Sequence, residues 1–221
     1  MSRHTKPLKP YIVVFCEGES EQVYVDFLKK EFARVAVIKR PKEKGLFEEA
    51  DRKFRKSNSF RDNAEVTDEI WFLFDVEQKD ATAWEKRLKI IKHLRLLKGR
   101  ERIRVRLLMT TGCIEYWFLL HYEFLTPPIH TVADKQSVMK KLLSKKPNYQ
   151  KGDAVTTEEI AKNYETAVKN AEVILETLLK DGMPCVEDTD DRNCWLCRKC
   201  VTFSTVFEGI EYLKNLEKRS S

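Results

Sequence analysis

The stretch from Tyr11 to Ser20, YIVVFCEGES, decides how the rest of the chain is read. Tyr11 to Cys16 is an unbroken apolar run, β-branched at Ile12, Val13 and Val14. A run this short and this branched suits a strand covered on both faces, the hallmark of a parallel sheet. It stops at Glu17-Gly18, after which Val23, Tyr24, Phe27, Leu28 and Phe32 recur at helical spacing. The same alternation continues outward. Val35 to Ile38 reads as a short second strand. Glu69 to Asp75 (EIWFLFD) is a third and again closes on an acid. Arg102 to Met109 (RIRVRLLM) is a fourth. Between them, Leu46, Phe47, Ala50 and Phe54 mark one helix, followed by a loop over Ser57–Asp62. Trp84, Leu88, Ile91 and Leu94 mark another, with Gly99 as its stop. Strands alternating with helices predict an α/β fold, a parallel sheet flanked by helices.

Beyond Thr110-Thr111-Gly112, CIEYWFLLHYEFL (113–125) reads as one mostly buried helix, ended by Pro127-Pro128. A basic helix and loop follow over 129–155. Ile160 through Leu178 forms one long helical pattern, stopped by Gly182 and Pro184, and residues 204–219 form a last amphipathic helix. The predicted organisation is a flexible leader over 1–9, an α/β domain over 10–125, and a helical C-terminal extension over 126–221 with a cysteine cluster at 185–200.

Composition narrows the class. Of 221 residues, 42% are hydrophobic, enough for a core and too many for a disordered chain. Seven Gly and seven Pro argue against a turn-rich all-β protein. Charged residues reach 34%, and 41 Lys+Arg less 35 Asp+Glu leaves +6, a balance that permits phosphate binding without requiring it. No apolar run approaches the ~20 residues of a membrane helix, and no secretory signal pattern is visible. The expectation is a cytoplasmic protein with no membrane partner and with cysteines in a reducing compartment. The motifs GxSxG and GxxxxGK are absent, which argues against a serine hydrolase and against an NTPase.

Glu17 and Asp75 each end a predicted buried strand, and the C-terminal ends of parallel strands lie along the edge where ligands bind. Glu77, two residues past Asp75, projects to the same side if the chain stays extended. Clustered carboxylates repel one another and are best relieved by a hard divalent cation, Mg²⁺ above all. Such a site suits metal-assisted attack on phosphodiesters. The plainer alternative is that these acids open loops and helices, with Glu19, Ser20 and Glu21 as caps. Glu115, after the turn that follows the fourth strand, is a further candidate acid or a helix N-terminal acid. Glu21 is a supporting acid or a solvated helix residue. His121, within an apolar helix, reads as a core histidine before a catalytic base.

IVVFCEGESEQVYVDFLKK (12–30) with WFLFDVEQ (71–78) resembles the Toprim domain, a small parallel α/β fold. The resemblance implies that Glu17 acts in acid–base or metal chemistry and that Asp75 and Glu77 bind the metal, Glu77 replacing the usual second Asp. CIEYWFLLHYE (113–123), NYQKGD (148–153) and FSTVFEGIEYL (203–213) are similar to blocks of the RloB-like branch. Membership there implies a Mg²⁺-dependent nuclease acting as effector in anti-phage defence (abortive infection), with an ABC-like ATPase partner. RNA such as tRNA is the guessed substrate over DNA. The alternatives are a non-catalytic module that docks on such an ATPase or on nucleic acid, and a primase-like polymerase.

Two further groups complete the candidates. Lys140, Lys141, Lys145, Lys146 and Lys151, with Tyr149 among them, form the densest basic stretch, suited to phosphate contacts and base stacking or to a solvated face. Arg102, Arg104 and Arg106 share one strand face and either line a groove or cover the sheet. Cys185, Cys194, Cys197 and Cys200 follow C-x8-C-x2-C-x2-C. This pattern fits a structural Zn²⁺ site, with an iron–sulfur cluster as the alternative.

Overall fold

A computed structural model describes residues 8–56, 64–78, 80–97, 103–199 and 201–220. The loop expected over Ser57–Asp62, Gly99, Arg102, Cys200 and most of the leader lie outside the described residues. Four strands, β1 (Tyr11–Cys16), β2 (Val37–Lys39), β3 (Glu69–Val76) and β4 (Arg104–Thr111), form one sheet ordered β2-β1-β3-β4. Every pairing is parallel. Ile12 to Cys16 and Ile70 to Phe74 are buried, as expected of strands covered on both faces.

Alternation along β3 assigns the two faces. Phe72 and Phe74 point one way, toward Phe47 at the start of α2 (Phe47–Lys56), with ring centroids 4.2 and 5.4 Å apart. Helix α3 (Asp80–Arg95) packs against both α2 and β4. Trp71 points the other way, toward Tyr212 of the last helix. On that second face lie α1 (Glu19–Glu31) and α4 (Ile114–Leu120), joined through Tyr24 and Trp117 at 6.2 Å. Helix α5 (Val132–Lys145) packs on α4, and α6 (Ala154–Ala161) on α1. Helix α7 (Tyr164–Lys180) lies between α4 and α9 (Val206–Ser220). Helix α8 (Asp190–Lys199) packs on α3. The helices of 126–221 share the core of the sheet: Leu142, Leu175 and Ile210 belong to the same buried cluster as Val14 and Leu73.

Two expected helices are shorter than the pattern implies. The apolar block 113–125 is helical only to Leu120. There the Asn170 side chain donates to Leu120 O at 2.8 Å and the Asn163 side chain donates to His121 O, satisfying carbonyls the helix leaves open. Asn163 also explains why the pattern from Ile160 to Leu178 is two helices. Its side chain serves α4, and the chain breaks there between α6 and α7. The cysteine segment, in contrast, contains a helix, α8.

The outer edge of β4 is covered over Met109–Thr111 by the chain itself. Thr110 bridges Ser204 in antiparallel fashion, Thr205 N donates to Met109 O at 2.8 Å, and Met109 N donates to Thr205 Oγ1 at 2.8 Å. These bonds occupy groups that an open edge would leave bare. Among the described residues no helix is long and apolar enough to cross a membrane.

Gly112 ends β4 with φ +75°, and its N–H donates to Val76 O at 2.9 Å. A Cβ there would meet Ile129 Cγ2 at 2.3 Å. Gly112→Ala therefore adds both backbone strain and a clash, and is expected to cost about 2 kcal/mol. Urea unfolding with an unchanged m-value would read this out.

Candidate functional site

The chain leaves β1 to build β2 on one side, then returns to build β3 on the other. The gap between β1 and β3 is thus the switch point of the sheet, where ligands bind in open α/β folds. Cys16 pairs with Leu73, so Glu17 stands beside the last turns of β3. Glu17 N donates to Leu73 O at 3.2 Å, and Asp75 N donates to Glu17 Oε2 at 3.1 Å. Asp75 shares the face of Trp71 and Leu73 by alternation, which turns it toward α1 and α4.

Those two helices add an acid each from their first turns. Glu21 of α1 is buried. The missing side chain at Gly18 lets it fold back, since a Cβ there would lie 2.7 Å from Glu21 Oε2. Glu115 of α4 is buried as well. Its Oε1 accepts the Tyr149 hydroxyl at 3.0 Å and lies 3.3 Å from Lys151 Nζ. Glu17, Glu21, Asp75 and Glu115 line one cleft of about 250 Å³, with Lys44 and Lys151 also on its wall. Lys44 is bound to Glu19 at 2.6 Å.

Like charges in so small a space cannot all ionise freely. Burial, reinforced by Glu21, Glu17 and Glu115, raises Asp75 well above the usual carboxylate range. Burial, with Glu115 and Glu17, pushes Glu21 up to about 7. Asp75 Oδ1 is buried without a hydrogen-bond partner, a costly state for a carboxylate oxygen. Among the described residues no three His, Cys, Asp or Glu side chains stand as a ligand set. The acids surround the cleft without closing on a point. That arrangement fits the chemistry of Mg²⁺, which takes one or two protein carboxylates and keeps waters and substrate oxygens as its other ligands.

A family model described as RloB-like protein matches residues 12–202, spanning all four acids and the loop of Tyr149 and Lys151. The chain belongs to the RloB-like protein family. No curated protein and no solved structure matches it.

Elsewhere in this RloB-like chain, several expected site residues stand apart from the cleft. Glu77 does not join Asp75. β3 ends at Val76, and the chain then turns, with Asp80 N donating to Glu77 O and Glu77 N to Asp80 Oδ2 at 2.7 Å. The extended geometry that would align the two acids is lost. Glu77 is ion-paired with Lys135 and lines a neighbouring cavity of about 210 Å³ with Thr111 and His130. The basic stretch is not one patch. Lys141 and Lys145 reach Glu123 at 3.4 and 3.7 Å, Lys146 pairs with Glu159, and Lys151 belongs to the cleft. Lys140 is exposed on α5. Tyr149 is no stacking platform. It is 3% exposed, its ring packs edge-on against Phe118 at 5.7 Å, and its hydroxyl orients Glu115. Arg104 pairs with Asp188 outside the sheet, and Arg106 pairs with Glu69 across the β3–β4 seam and lies over the Tyr212 ring. His121 is a core residue: its Nδ1 lies 2.9 Å from Trp117 O, and burial lowers its pKa to about 4.

Among the described residues, Cys185, Cys194 and Cys197 do not stand together as a ligand group. Cys197 is fully buried, with its sulfur 3.7 Å from Met109 Sδ, whereas Cys185 contacts Thr189 Oγ1 at 3.3 Å and Cys194 is half-buried. Cys200 lies outside the described residues. The segment is held instead by Arg192, a fully buried guanidinium bonded to Glu208, to Asn193 Oδ1 at 2.9 Å and to Val186 O at 2.6 Å. Arg192→Ala leaves Glu208 buried and unpaired and is expected to cost about 3 to 5 kcal/mol. Cys194→Ser should be near neutral in the same urea titration.

The acids also predict a pH dependence. Glu21 holds its proton more tightly folded than unfolded, so its contribution to stability is full below about pH 4.5 and is lost as pH rises through about 7. Glu21→Gln should flatten the fall in melting temperature across that window and melt higher than the parent chain at pH 8.

Proposed function

We propose that this RloB-like protein is a Mg²⁺-dependent Toprim-type nuclease that cleaves phosphodiester bonds, RNA such as tRNA before DNA. The observation that carries the reading is the buried, unpartnered Asp75 Oδ1 surrounded by Glu17, Glu21 and Glu115 at the switch point of a parallel sheet. The motifs shared with Toprim domains support it, as does the position of Glu17 and Asp75 at the ends of adjacent strands. Family membership supports the wider role, that of an effector in anti-phage defence working with an ABC-like ATPase.

In this reading Asp75 and Glu17 are the residues that hold the cation, with Glu21 and Glu115 completing the negative field around it. A bound divalent cation would neutralise charge on the phosphate and lower the pKa of an attacking water. Glu17, exposed at the mouth of the cleft and oriented by the Asp75 N–H, is the acid placed to move a proton. Glu115 is fixed by Tyr149 and sets the far wall. Glu77, paired with Lys135, stands beside this machinery and is not a ligand within it. The cysteine segment contributes no chemistry to it.

The test is incubation of the protein, with its partner ATPase, with tRNA, mRNA and plasmid DNA in the presence and absence of Mg²⁺. Cleavage should require Mg²⁺, and Asp75→Asn should reduce it by about 100-fold while the protein still captures the ATPase. Capture with no Mg²⁺-dependent cleavage in the parent chain would instead identify a docking module whose acids only cap strands and helices.

A further inference from the structure

Two lysines flank Asp75, and each is tied to a carboxylate. Lys151 Nζ lies 3.3 Å from Glu115 Oε1, and Lys135 is ion-paired with Glu77. Both act electrostatically on Asp75. They belong to different hollows. Lys151 lines the cleft of about 250 Å³ with Asp75, and Lys135 lines the cavity of about 210 Å³ with Val76 and Glu77. Asp75 and Val76 are consecutive, so the two hollows meet at the tip of β3.

The loop that carries Lys151 is anchored on both sides of it. Tyr149 is buried against Phe118, Gly152 N donates to Ser20 Oγ at 3.1 Å, and Asp153 caps α6 through Thr156 N at 2.7 Å. The backbone is therefore fixed while the side chain remains 65% exposed, against 2% for the Glu115 side chain. The ammonium stands on the open side of the cleft. Its partner oxygen also accepts the Tyr149 hydroxyl at 3.0 Å, so Glu115 keeps a hydrogen bond if the lysine turns away. An ammonium offers three donors and suits a phosphate as well as a carboxylate.

A nucleic-acid strand meets four carboxylates in this cleft. Each carboxylate repels the phosphates, and more strongly at a protein surface than in water. Cations must stand beside the acids for a phosphate to enter. We propose, on the basis of the nuclease reading above, that a single strand crosses the tip of β3 between Lys151 and Lys135. Each lysine exchanges its carboxylate partner for a backbone phosphate on its own side of Asp75. The exchange strips Glu115 of its cation as the phosphate arrives, so strand and divalent cation enter the cleft together.

The test measures equilibrium binding of a short single-stranded RNA, in Ca²⁺, across a salt series. Lys151→Met and Lys135→Met should each weaken binding equally for all sequences and lower the slope of log K against log salt by about 0.7 to 1. The double variant should lower it by the sum. Lys151→Arg and Lys135→Arg should restore most of the slope, and Lys141→Met, in its exposed pair with Glu123, should leave it unchanged. An unchanged slope in either methionine variant overturns the proposal, as does an equal fall in Lys141→Met, which would move the strand onto α5. If the parent chain binds no nucleic acid, the nuclease reading falls as well. If Asp75→Asn abolishes cleavage while Lys151→Met binds normally, only the lysine track falls.

Discussion

Mutual repulsion among carboxylates at the end of a parallel sheet is the constraint around which the site is arranged. Asp75 and Glu17 lie 58 residues apart in sequence, yet the Asp75 N–H donates to the Glu17 carboxylate. Adjacent strands enforce that proximity, and adjacency follows from apolar runs long enough to be buried on both faces. Each acid alone would be an ordinary loop residue. Crowded together and buried, Asp75 and Glu21 hold protons they would otherwise release. The packing energy of the core sustains an arrangement that is unfavourable at its rim, a common division of labour between scaffold and site.

The fold was legible because its signals are periodic and local. β1 and β3 appear as apolar blocks ending in acids, and the alternation with amphipathic helices leaves few topologies open. Glu17, Asp75 and Glu115 were legible for the same reason: Glu17 follows β1, Asp75 sits at the end of β3, and Glu115 follows the turn after β4. Membership of the RloB-like family agrees with the order of short motifs along the chain.

What escaped the sequence depends on contacts between distant segments or on a single turn. Glu21 reads as either a supporting acid or a solvated helix residue until Gly18 is seen to admit its carboxylate. The four-residue offset from Glu17, one helical turn, was the available signal. Tyr149 looks like a stacking aromatic amid lysines, and only docking of its loop on Ser20 and Glu115 shows it as a buried strut. Glu77 stands one residue past the end of β3, where the chain turns and Lys135 pairs with it. The cysteine spacing reads as a metal motif, whereas Cys197 faces the core beside Met109 and Cys185 lies against Thr189.

The strap from Ser204 to Thr205 along β4 has a consequence for assembly. It occupies the Met109–Thr111 end of that border, and the opposite border, β2, is only three residues long. Growth of the sheet into a dimer or fibre is thereby discouraged. A foreign strand is kept off the end of β4 that the strap covers, Met109–Thr111.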